Sequence, residues 1–121
     1  MSIVSEKSKA FAVKIVRLAR ALSSEHREFV LSKQVLRSGT SIGANVRESE
    51  HAQGLKDFIS KLNIALKEAN ETLYWLELLV ESEILSRREF EPLHEDCSEL
   101  VRILAASVKT NKRKLTSAVA A

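Results

Sequence analysis

From Leu55 to Val80, the residues Leu55, Phe58, Leu62, Ala65, Ala69, Leu73, Leu76 and Val80 return every three or four positions, with no glycine or proline between them. A half-buried strand would alternate by two, so this rhythm places a single apolar face on an α-helix. At ~1.5 Å per residue, a helix from about Leu55 to Ser82 is roughly 40 Å long. Greasy along one side only, it has to lie against other helices. The rest of the chain agrees: 121 residues contain three glycines and one proline, which leaves little material for strands or long loops. That length suits one domain with a real core.

Three further helices follow from the same periodicity. The first runs from about Ser5 to Leu22, with Phe11, Ile15, Leu18 and Leu22 inward and Ala12 and Ala19 beside them. Ser24 then offers an N-cap for a second helix from about Glu25 to Ala52, which the Gln53-Gly54 pair ends. The last runs from about Ser86 to Asn111, with Phe90, Leu93, Cys97, Leu100, Leu104 and Val108 facing in. Ser86 and Glu89 have capping-box spacing. Pro92 falls one turn later, so either the helix bends there or regular helix begins at Glu91. Residues 113–121 have no core periodicity and read as a flexible basic tail on a bundle of residues 1–112. Short connections favour antiparallel neighbours, giving an all-α, up-down-up-down four-helix bundle. The lone cysteine excludes an internal disulfide. With no secretory pattern and no long apolar run, a cytoplasmic, non-membrane protein is expected.

The second helix is unusual. Leu31, Val35, Ile42 and Val46 form its apolar stripe, while Gln34, Ser38, Ser41, Asn45 and Glu48 form a wholly polar one. Gly39, Thr40, Gly43 and Ala44 lie between them, and each glycine costs roughly 1 kcal/mol of helix stability relative to alanine. Two readings account for this. In one, small residues let helices pack closely, with Ser and Asn bonding back to nearby carbonyls. In the other, Asn45 and Glu48 hold Arg37 or a neighbouring chain.

These residues also carry a family resemblance. Arg37, then Ser41-Ile42-x-Ala44-Asn45, then Glu48, with the helical stretch that follows, resembles the bacterial four-helix-bundle family named for proteins encoded in 23S rRNA intervening sequences. That family includes the accessory protein of diversity-generating retroelements. The similarity spans about residues 6 to 112. The family usually has Pro where this chain has Gly43, and Gly where it has Ser49. The resemblance implies a homopentamer, and RNA-linked or reverse-transcriptase-linked scaffolding with a reverse transcriptase or a ribosomal component as partner.

Residues 73 to 80, LYWLELLV, are apolar nearly all round. Leu73, Leu76 and Val80 fill the core stripe, leaving Trp75 and Leu78 as a candidate subunit interface. Trp75 could instead lie across an edge of its own bundle.

Chemistry is scarce. Glu48-x-x-His51 and Glu91-x-x-His94 both match the Glu-x-x-His motif of di-iron bundles. Helices two and four run parallel, however, with one motif at an end and the other at a start. That places them on the order of 25 Å apart, where a two-metal site needs ~4 Å. Arg20 and His26 have a spacing like that of some helical ribonucleases but lack companion groups. Cys97 reads as a small core residue. No cofactor or metal and no enzymatic activity is expected.

Charge is distributed unevenly. Net charge is +3, yet the first helix sets Lys7, Lys9, Lys14, Arg17 and Arg20 against Glu6 alone, and the fourth closes with Lys109, Lys112, Arg113 and Lys114. In an up-down bundle the start of the first helix and the end of the fourth share one end. The expected function is therefore non-enzymatic binding of an RNA or DNA backbone, weakly selective for sequence because few aromatics accompany the cations. The alternatives are a protein-interaction scaffold that meets an acidic partner, and a ribonuclease using Arg20 and His26.

Overall fold

The Ser2 hydroxyl accepts a hydrogen bond from the Ser5 amide at 3.1 Å and so starts α1 (Ile3–Ser24). α2 (Val30–Ser49), α3 (Leu55–Glu81) and α4 (Arg87–Ala120) complete the fold in the computed structural model, which describes residues 2–120. Met1 and Ala121, the outer limits of the expected bundle and tail segments, lie outside the described residues. All four helices are antiparallel to their sequence neighbours, as the expected up-down-up-down bundle requires. Pairs such as Gly39 with Ile15, Thr72 with Ser38, and Cys97 with Ala69 mark the three successive packings. α1 closes the ring against α4 more lightly than the other pairs pack.

The first connection differs from expectation. Ser24 does not cap α2; it is the last residue of α1, and its hydroxyl donates back to the Arg20 carbonyl at 2.9 Å. α2 instead starts at Val30, where one oxygen of Glu28 accepts from the Val30 and Leu31 amides at 2.7 and 2.9 Å. That carboxylate satisfies two orphan donors and suits the positive end of the helix dipole. Arg27 makes the turn with φ 52°, a left-handed conformation uncommon outside glycine. At its other end α2 stops at Ser49, and Gly54 caps the start of α3 rather than terminating α2.

α4 begins at Arg87 and continues through Pro92, so regular helix does not wait for Glu91. Ser86 accepts from the Glu89 amide at 3.2 Å and donates to the Glu89 carboxylate at 2.8 Å. Nor does α4 end at Asn111: residues 113–120, expected as a loose tail, are helical.

Phe11, Ile15, Leu22, Val35, Ile42, Val46, Leu62, Leu76, Leu79, Leu100 and Leu104 form the centre of the core, each essentially inaccessible. On α3 the inward stripe is Ile59, Leu62, Ala65, Ala69, Thr72, Leu76 and Leu79. Phe58, Leu73 and Val80, expected inside, are half-buried at its margins. Thr72 reaches the centre because its hydroxyl lies 2.9 Å from that of Ser38 and 2.8 Å from the Glu68 carbonyl. Thr72→Val is expected to lose about 1–2 kcal/mol, because the buried Ser38 hydroxyl keeps only its long 3.5 Å contact with the Val35 carbonyl. Adding Ser38→Ala should recover most of that loss, read from urea denaturation midpoints.

Cys97 is buried, with its thiol donating to the Ala69 carbonyl at 3.3 Å. Burial, and secondarily the Asp96 charge, push its pKa up to about 12 from 9.0. The folded thiol therefore keeps its proton after an unfolded one has lost it. From this group, stability is fully present below pH 9 and declines between pH 9 and about 12. At pH 8 a maleimide should label Cys97 only after denaturant unfolds the chain.

Candidate polyanion-binding site

The antiparallel register that sets Cys97 beside Ala69 brings Asn111 level with Leu55, the first residue of α3. Residues 112–120 of α4 therefore project about 13 Å past the end of α3. Within that segment Leu115 packs toward the core. Lys112, Arg113 and Lys114, with Lys109 just inside, are exposed, and none has a carboxylate within ion-pair distance among the described residues. A shallow concavity runs along Lys109, Lys112, Arg113, Thr116 and Ser117.

The first-helix cations do not join them as one patch. Lys7 is paired with Glu99 at 2.8 Å and Lys14 with Asp96 at 2.6 Å, both acids belonging to α4. Two of the nine expected binding residues are thus engaged within the fold. Arg17 is exposed, has no ion-pair partner among the described residues, and lies toward the far end of the molecule. Lys9 and Arg20 lie in a different feature, the furrow between α1 and α2.

That furrow has two stretches. The lower is lined by Ser5, Lys9, Ala12, Thr40, Gly43, Ala44, Arg47 and Glu48. The upper, about 840 Å³, is lined by apolar Val16, Ala19, Phe29 and Leu36 among Arg20, Lys33 and serines. Sequence reading passed over Lys33 and Phe29, because both fall off the core stripe and only the packing of α1 on α2 brings them to a shared edge.

Of the polar stripe on α2, Ser38 is buried, Ser41 and Asn45 are half-buried, and Gln34 and Glu48 are exposed. Ser41 and Asn45 bond back to the Arg37 and Ser41 carbonyls at 2.6 and 2.9 Å. Asn45 and Glu48 do not hold Arg37. Its guanidinium reaches Glu68 at 3.0 Å and also Glu71, both on α3, while Glu48 faces Lys61 at 3.4 Å. Glu71 further accepts from the Trp75 indole N–H at 3.0 Å. The family-motif arginine thus ties α2 to α3 and fixes the tryptophan.

Trp75 and Leu78 are half-buried, and the strongly exposed member of that patch is Tyr74, at 58%, edge-on to Trp75 at 5.0 Å. Arg20 stands on the last turns of α1 and His26 in the following loop, both exposed. His94 lies against Phe90, ring centroids 5.0 Å apart. Among the described residues, no three His, Cys, Asp or Glu side chains gather where a metal could be held. No helix is long and apolar enough to cross a membrane.

Comparison with known proteins adds to this geometry. A crystal structure at 1.70 Å of a protein of unknown function from the S23 ribosomal protein family of Bacteroides thetaiotaomicron superposes with a TM-score of 0.87. The two sequences are 56% identical over 88% of this chain and 99% of that one. Among curated proteins, none matches. The profile of the family described as 23S rRNA-intervening sequence protein matches residues 2–106, which includes the whole Arg37-to-Glu48 motif. The chain belongs to the 23S rRNA-intervening sequence protein family.

Proposed function

We propose that this chain is a non-enzymatic, self-associating cytoplasmic bundle that grips the phosphate backbone of RNA or DNA through the projecting end of α4. The observation that carries this reading is Lys112, Arg113 and Lys114 on the overhanging end of α4 with Lys109 one turn inside it, none paired with an acid among the described residues. Unpaired, closely spaced cations release condensed counterions when they meet phosphates, so binding is favourable and strongly salt-dependent. No exposed aromatic ring accompanies the four, which suits backbone contact over base stacking. The family's name, with its rRNA association, supports a nucleic-acid setting, and the motif resemblance implies five copies. A ring of copies would multiply a weak site.

Filter retention of a generic RNA and a generic DNA across a salt series tests the proposal. Retention should be clear at low salt and fall steeply as salt rises. Absence of retention at every salt concentration would overturn it and favour the second reading, a protein-interaction scaffold, for which the apolar furrow between α1 and α2 speaks.

A further inference from the structure

Two features on different sides of the molecule sit at the same height along the bundle. One is the upper furrow between α1 and α2, with Phe29 52% and Leu36 36% exposed beside Val16 and Ala19. Its cations, Arg20 and Lys33, have no acidic partner within ion-pair distance among the described residues. The other is the outer face of α3 near its C-terminus. Tyr74 stands out there, Leu78 is half-buried, and Glu77 and Glu81 are exposed and likewise unpaired. The contact of Arg37 with Glu71 sets this stretch of α2 level with this stretch of α3.

We propose that the furrow of one copy seats the Tyr74 face of α3 from a second copy, with Arg20 and Lys33 facing Glu77 and Glu81. This rests on the self-association read above and names its two faces. The furrow is basic and apolar; the α3 face is acidic and apolar. Each therefore supplies what the other lacks, and like-charge pairings of furrow with furrow or face with face are disfavoured. Two different patches make a heterologous contact, and a rotation between them can close a ring. Equal height along parallel bundles lets copies stand side by side without a helical rise. The α1–α4 seam is a poorer receptor, because its cations Lys7 and Lys14 are already matched by Glu99 and Asp96.

Light scattering on the full chain at matched concentrations tests this with three variants of exposed residues. Arg20→Glu with Lys33→Glu, and separately Glu77→Lys with Glu81→Lys, should each drop the mass to one chain, 13.5 kDa, with circular dichroism unchanged. The fourfold variant carrying both reversals should reassemble. A wild-type multimer unaffected by either reversal would overturn the assignment of faces while leaving self-association intact. So would loss in both reversals without recovery in the fourfold variant. A single-chain wild type would overturn self-association itself, and this inference with it. Binding of an acidic amphipathic peptide in the furrow of a wild type that stays a single chain, lost in Arg20→Glu with Lys33→Glu, would mark the furrow as a site for a foreign helix, and would also overturn the proposal.

Discussion

Gly39→Leu will unfold the bundle at a markedly lower denaturant concentration than the parent, with a loss of about 2 kcal/mol or more. A Cβ at position 39 would lie 2.7 Å from Ile15 Cγ2, 2.9 Å from Cγ1 and 3.2 Å from Cβ. These atoms belong to a β-branched side chain that is fully buried, and such a side chain has few rotamers to escape into. Helix propensity pulls the other way, since replacing glycine gains about 1 kcal/mol in a helix interior. For Leu the steric term wins, because the extra carbons enter a close-packed core. Gly43 is the internal control: a Cβ there would meet Ser8 backbone and hydroxyl atoms at 3.4 Å, ordinary van der Waals contact. Gly43→Ala should therefore be neutral or stabilising. The two alanine substitutions, Gly39→Ala and Gly43→Ala, giving equal midpoints in urea would contradict this account of how α1 and α2 meet. Ile15→Ala, which removes the two nearest of those atoms, should soften the penalty at 39, a coupling of about 0.5–3 kcal/mol expected only for residues in direct contact.

The second large effect concerns the projecting end of α4. Converting Lys109, Lys112, Arg113 and Lys114 to Glu should abolish retention of RNA at low salt. For four phosphate contacts the single-strand slope predicts an affinity loss of about 50-fold between 50 and 200 mM salt in the parent. Charge reversal removes that term and adds repulsion, so the variant should show neither binding nor salt dependence. All four side chains are exposed, and the fold should survive. Lys7→Gln with Lys14→Gln is the discriminating partner experiment. These two lysines are held by Glu99 and Asp96, so removing them should change retention little. A larger effect from this pair than from the α4 quartet would place the site on the wrong helix.

Much of the fold was legible in the chain because the helix period is a local property. Four helices and most core residues follow from apolar spacing, and the antiparallel order from the short connections. Errors arose where a non-local partner decided the outcome. Ser24 looks like a cap for the helix after it, but its hydroxyl found a carbonyl in its own helix, and Glu28 took the capping role. Thr72 was invisible as a core residue because its burial depends on Ser38 from another helix. Counting only apolar residues on α3 therefore displaced the stripe toward Leu73 and Val80. The end of α4 lacks core periodicity because it has left the core, and helix persists there on local propensity. Arg37 does stand in a polar network, as one of the two readings of α2 has it, but its partners are Glu68 and Glu71, which lie 31 and 34 positions away and which no local spacing points to. The candidate site shows the same limit. Counting charge along the chain grouped nine cations, whereas ion pairing with α4 withdraws Lys7 and Lys14, and topology separates Arg17 and Arg20 from the rest.

The light closure of α1 against α4 has a mechanical consequence. Three of the four seams are zipped by interdigitated side chains, whereas this one is spanned near its middle by two water-exposed ion pairs. Ionic strength weakens such pairs and leaves buried hydrocarbon contacts untouched. The molecule is thus a sheet of four rods rolled into a tube, its closing edge held by Phe11 and Leu100 with those ion pairs outside them, and that edge is expected to come undone first as salt rises.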